Sequence, residues 1–315
     1  MALRSLRRLV TRRLGLDALR ADHATMAAAL ASHQAALDQS THDSTAATLR
    51  GDALQQQLDQ FARRLADADE VHQVLWATAW NVADPSSARA TVTVVLPTRN
   101  RAPLVARAVH SVLQQAGVEV ELIVVDDAST DHTATELSAI DDQRLTVLAG
   151  EGRGAAAARN LAVARANGEF IAFADDDNIM VPGWLAAAAR HLHQRPHTSG
   201  VYGAQLRQAE GGQQDGLTLL YRSPFDRDAM LLGPYIDLGS TMFRSGITEL
   251  HFDESLAAML DWDMLIRVTA VHELTAIPVL SSLYTTSAPH RISDRPDKPT
   301  AIQAVRDRVS AERER

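Results

Sequence analysis

Two patterns of apolar and polar positions divide the chain. From residue 91 onward, short apolar, β-branched runs alternate with stretches whose apolar positions recur at helical spacing. Thr91–Leu96 is the first such run and stops at Pro97. A helix is predicted from Pro103 to Gln115, with Leu104, Val105, Ala108, Val109, Val112 and Leu113 on one side. Strands are expected at Val120–Val125, Leu145–Leu148 and Phe170–Phe173, with helices at about Asp131–Ser138 and Gly154–Asn167 between them. Gly168 stands where a helix C-cap belongs, and Pro182 suits the first turn of a helix over Trp184–His193. Strands alternating with helices imply an α/β fold, a mainly parallel sheet flanked by helices.

The first 85 residues read differently. Residues 21–80 are rich in Ala, Gln, Leu and Asp, contain no proline, and have Gly51 as their one glycine, which favours helix. Leu54, Leu58, Phe61 and Leu65 keep helical spacing, but the heptads are irregular for a coiled coil. Residues 1–20 set Arg4, Arg7, Arg8, Arg12, Arg13 and Arg20 against Asp17, with leucines between. That composition fits a basic amphipathic helix on anionic lipid, but amphipathicity alone is common and an ordinary helix with a solvated arginine face is the first reading. The expected division is a helical N-terminal extension over 1–85, serving as an oligomerisation or membrane-surface arm, then one domain over 90–290 and a helical or flexible tail over 291–315. Asp84-Pro85-Ser86-Ser87 reads as the linker.

Composition narrows the function classes. A net charge of −8 over 315 residues gives no whole-protein case for nucleic acid. The absence of cysteine excludes disulfides, zinc–thiolate sites and thiol catalysis. No apolar run approaches the roughly 18 residues of a membrane span, and the start has no uninterrupted apolar signal core. The expected location is cytoplasmic, peripheral at the inner face of the membrane if the basic helix touches lipid.

The chemistry gathers at strand ends. Phe170–Phe173 runs into Asp175, Asp176 and Asp177, and Val120–Val125 into Asp126 and Asp127. Carboxylates this close repel one another, and a hard divalent cation with its preference for oxygen ligands is the natural compensator. Ligands of open α/β sheets bind beyond the carboxyl ends of the strands, where these residues stand.

Five segments together resemble a family 2 glycosyltransferase of the GT-A type: Val94–Arg101, Ile123–Asp131, Gly154–Asn160, Gly168–Asn178 and Leu260–Arg267. They follow the family's order over about residues 91–290. The resemblance implies transfer of a sugar from a nucleotide-diphosphate donor, usually a UDP-sugar, to a hydroxyl on a glycan, lipid-linked or protein acceptor, with inversion. It implies that Asp127 meets the donor base, that Pro97, Thr98 and Arg99 line the same pocket, and that Asp175 and Asp176 lie at the donor. Asp177, with Asp175, would ligate Mn²⁺ or Mg²⁺, and His290 matches a late histidine that some members place near the diphosphate. Asp261 falls on the family's general base, with Asp263 the competing position. Leu260 and Asn178 depart from acidic residues common in the family.

Structural readings stand beside these. Asp126 can cap a turn, because Asp-x-Ser/Thr segments satisfy their own backbone. Arg159 can neutralise a diphosphate or pair with a local carboxylate. His290 can be a surface residue, and Trp184 and Trp262 can be core packing. Gly150, Gly152 and Gly154 read as a flexible loop, not a dinucleotide fingerprint. A scaffold carrying a degenerate domain is one alternative function. A nucleotidyltransferase is another, weakened by the lack of glycine in Pro97–Arg101.

Overall fold

Strand β1 (Thr91–Thr98) is buried at every residue but its first, which is why it reads as an unbroken apolar run. The computed structural model describes residues 71, 73–78, 89–208, 217–285 and 298–313. The basic segment 1–20, the linker Asp84–Ser87 and His290 lie outside them.

β1 pairs in parallel with β2 (Glu119–Asp126) and β4 (Phe170–Phe173), and β2 with β3 (Leu145–Ala149). Beyond β4 the sheet becomes mixed. β8 (Thr241–Arg244) runs antiparallel to both β4 and β6 (Gly200–Gln208). β6 runs parallel to β9 (Leu274–Thr285), and β5 (Ile179–Met180) closes that edge antiparallel to β9. β7 (Leu217–Leu220) pairs antiparallel with β6. The parallel half follows the expected alternation; apart from the two-residue β5, the mixed half lies past Trp184, where the sequence shows no such rhythm.

Alternation along β1 splits the core between the two faces. Val92, Val94 and Leu96 pack with helices α1 (Ala102–Leu113) and α4 (Trp184–Gln194) through Val105, Val109, Trp184 and Leu185. Val95 and Phe173 belong to the opposite cluster, with helices α3 (Ala155–Val163), α6 (Leu260–Val271) and α7 (Lys298–Arg313). Short helices α2 (Thr133–Ser138) and α5 (Arg227–Leu232) complete the set. Trp184 and Trp262 are both fully buried, and Trp262 donates its indole N–H to the Met230 carbonyl at 2.6 Å, so both are core residues. Ahead of the sheet, the helical residues 73–78 dock through buried Val74 and through Thr78, whose hydroxyl accepts from Leu280 N–H at 2.8 Å.

Two expected caps serve other purposes. α3 ends at Val163, and Gly168 instead lies against β1: its N–H donates to the Thr93 hydroxyl at 2.8 Å, and a Cβ there would meet Thr93 N at 2.5 Å. Pro182 precedes α4, separated from it by Gly183 at φ 84. No helix among the described residues is long and apolar enough to cross a membrane.

Candidate active site

The carboxyl ends of β1, β2 and β4 open on one cleft of about 420 Å³. Its wall takes Pro97, Thr98 and Arg99 from the end of β1, Asp127 from just past β2, Gly154 from the loop before α3, and Asp175–Asp177 from just past β4. The remaining wall comes from the mixed half of the fold: Asp237 and Leu238 at a short 3₁₀ turn, Met259–Asp261 at the start of α6, and Tyr284 from β9.

Asp127 is 3% exposed, and the glycine-rich loop holds it. Its Oδ1 accepts from Gly152 N–H at 2.8 Å and its Oδ2 from Gly154 N–H at 2.7 Å. Both glycines have positive φ, 74° and 98°, so the backbone turns its N–H groups inward at little steric cost. The Gly150–Gly154 loop is therefore a cradle for Asp127. Arg99 stands 3.8 Å from the same carboxylate and remains half exposed. The neighbouring Asp126 behaves as a turn residue, accepting from Ser129 N–H at 3.0 Å.

The three consecutive aspartates divide their work. Asp176 lies on the cleft wall but is nearly buried: its carboxylate accepts from the Thr98 hydroxyl at 2.8 Å and lies 3.4 Å from Arg101. Burial pushes its pKa up to about 7, against the pull of Arg101 and Thr98. Thr98 and Asp176, both expected at the donor, thus hold each other and tie the end of β1 to the acidic turn. Asp175 accepts from Arg159 at 2.9 Å, so Arg159 has a local carboxylate partner while still lining the cleft. The Arg159 guanidinium also stands over the Phe252 ring at 5.5 Å, and its Nε–H is buried without a hydrogen-bond partner. Asp177 lines the same cleft.

On that remaining wall, Asp261 occupies the first turn of α6, where the helix dipole favours negative charge. Burial nonetheless lifts its pKa above the ordinary aspartate range; Arg159 and the Trp262 N–H oppose that rise, and Asp175 adds to it. Asp237 shares this wall and was missed in the sequence. Its Oδ1 accepts from Gly239 N–H at 2.9 Å, and burial, with Asp175 and Asp261 nearby, holds its carboxyl well above the usual range. The signal available was an aspartate two residues before Gly239, the pattern of an Asp-capped turn.

Six aspartates line the cleft against three arginines, so an anionic diphosphate entering it needs further positive charge. Among the described residues, no three His, Cys, Asp or Glu side chains are grouped to hold a metal by themselves. Asp177 and Asp175 offer an all-oxygen pair, which suits Mg²⁺ or Mn²⁺ when phosphate oxygens and water complete the shell.

Comparison with known proteins agrees with this architecture. Residues 93–251 match the family model for glycosyl transferase family 2. WcaA of Escherichia coli K12, named for colanic acid biosynthesis, is 30% identical over 220 residues, 64% of this chain and 77% of that protein. The Escherichia coli UDP-Glc:alpha-D-GlcNAc-diphosphoundecaprenol beta-1,3-glucosyltransferase WfgD is 38% identical over 96 residues, 30% of this chain and 36% of its own length. In three dimensions the fold resembles Staphylococcus aureus TarS 1–349, solved with UDP-GlcNAc, at a TM-score of 0.58 and 19% identity, covering 68% of this chain and 65% of that one.

Proposed function

The chain belongs to glycosyl transferase family 2, and from that premise we propose that it moves a sugar from a UDP-sugar to an acceptor hydroxyl with inversion, with Asp261 as the general base. The observation that carries this reading is the meeting of Asp127, Asp175, Asp177 and Asp261 around one cleft, although they are spread over 135 positions of sequence. The UDP-GlcNAc in the TarS structure supports the donor class. The name of WfgD, which gives it a lipid-diphosphate-linked sugar as acceptor, supports a lipid-linked glycan acceptor here.

The cleft residues divide the reaction between its walls. Asp127, set by its glycine cradle, and Arg99 receive the nucleotide. A divalent ion on Asp177 and Asp175, when bound, supplies positive charge where the leaving diphosphate gains negative charge. Arg159 adds a guanidinium beside Asp175. In the transfer itself, the acceptor oxygen bonds to the anomeric carbon, the bond from that carbon to the phosphate oxygen breaks with its electron pair on the diphosphate, and the hydroxyl proton passes to Asp261. A carboxylate with a raised pKa is a better proton acceptor than an ordinary aspartate once it is ionised.

The test is nucleotide release from a panel of UDP-, GDP- and dTDP-sugars, with Mn²⁺ and again with EDTA. Metal-dependent release from a UDP-sugar is the expected result. No release from any donor, combined with no UDP binding by calorimetry, sinks the reading.

A further inference from the structure

Asp263 has a buried side chain bound by two arginines, Arg267 at 3.0 Å and Arg308 at 2.8 Å. Arg267 is one turn further along the same helix, so it does not fix where that helix sits. Arg308 comes from α7, and its guanidinium forks: Nη1 donates to Asp263 and Nη2 to Asp253 at 2.5 Å.

Asp253 belongs to a turn that is fastened to α3. Asn160 donates to the Phe252 carbonyl at 2.9 Å and to Glu254 at 3.0 Å, and accepts from Phe252 N–H at 2.8 Å. Arg153 of the glycine-rich loop adds an ion pair to Glu254 at 2.7 Å. The residue beside Asn160 is Arg159, bonded to Asp175. Arg308 thus closes a path from α3, through the Phe252–Ser255 turn, to the first turn of α6. One end of that path carries Arg159 and Asp175; the other carries Asp261. Val305 and Val309 hold α7 in the core cluster that includes Met264 and Leu265, so the fork has a fixed root. Asp253, Asp263 and α7 all lie beyond the segment that matches the family model.

We propose that Arg308 is a positioning residue for Asp261, fixing the gap between the base and the wall that carries Arg159 and Asp175; this rests on the transferase reading above. A bidentate guanidinium holds two carboxylates in one direction, which an ammonium does not. Arg308 is 45% exposed at its side chain and solvent screens its end of the pair, while Asp263, 3% exposed, still holds Arg267 when Arg308 is lost. Misplacing a reacting group by about 1 Å costs on the order of 100-fold in rate.

The experiment measures nucleotide release by the full chain, with Mn²⁺ and the UDP-sugar that the wild type turns over fastest. Arg308→Ala lowers kcat about 10- to 100-fold, while donor KM and UDP affinity stay within about twofold. Arg308→Lys recovers part of the rate. In an Asp261→Asn background, Arg308→Ala adds no further loss, because the residue acts through the base. Wild-type kcat in Arg308→Ala, or the same fold-loss with and without Asp261, overturns the proposal. A wild type that binds no UDP and releases no nucleotide from any donor removes the transferase reading and this inference with it.

Discussion

Asp261 and Asp263 share the first turn of one helix and face different surroundings: Asp261 lines the cleft, whereas Asp263 is turned away into Arg267 and Arg308. Two carboxylates that the sequence leaves in competition for one role are separated by their partners. Asp261→Asn is expected to keep UDP affinity and lower kcat by about 10²–10⁴-fold, the usual contribution of a positioned base. Asp263→Asn leaves two arginines short of a carboxylate, so its main effect is a loss of about 1–3 kcal/mol of stability, with a smaller loss of rate. Calorimetry with UDP, thermal melting and nucleotide release on the two variants decide it. A larger rate loss in Asp263→Asn reverses the roles.

The pH dependence of turnover follows from the surroundings of Asp261. Its folded pKa is raised, chiefly by burial, and the base must be ionised to accept a proton. The rate is therefore present above that raised pKa and falls as pH drops through it. The acid limb of the kcat profile is expected above the ordinary aspartate range of about 3.9. An acid limb at or below that range contradicts the assignment.

Gly150 tests the cradle around Asp127. A Cβ at this position would stand 2.8 Å from Asp127 Oδ1 and 2.9 Å from its Cα, both too close. Because Asp127 is gripped by Gly152 and Gly154, the added methyl must shift the carboxylate or the loop. Gly150→Ala is expected to cost about 1–3 kcal/mol of stability, the usual cost of overpacking, and to weaken UDP binding through the displaced carboxylate. Unchanged UDP affinity means that the nucleotide does not depend on the position of Asp127.

The parallel half of the sheet and its acidic strand ends were legible because buried parallel strands are written as unbroken apolar runs, and site residues follow directly at their ends. What escaped depends on pairings distant in sequence. Asp237 reaches the cleft only because β8 inserts antiparallel between β4 and β6, and nothing local to Ile236–Gly239 announces that. The role of Gly152 and Gly154 requires knowing that their N–H groups meet Asp127, 25 and 27 residues earlier. Asp176 sits within an acidic run, yet its carboxylate goes to Thr98, 78 residues away, and is buried more deeply than Asp175 or Asp177. Arg308 lies 45 residues from Asp263, on a helix whose register no motif marks.

The fold resists a charge on Asp237. Burial, Asp175 and Asp261 all raise its folded pKa above the unfolded value. For a group shifted in this direction, the contribution to stability is fully present below the unfolded pKa and is lost as pH rises through the folded one. Asparagine keeps the acceptor for Gly239 N–H at Oδ1, so Asp237→Asn preserves the turn and removes the charge. The variant is therefore expected to melt higher than wild type at pH 8, with the difference shrinking toward pH 4, where the wild-type carboxyl is itself neutral. Melting curves of both proteins across that range, without metal or nucleotide, provide the measurement. A difference that is constant with pH, or that grows on acidification, shows that Asp237 enters the folded cleft as readily charged as neutral.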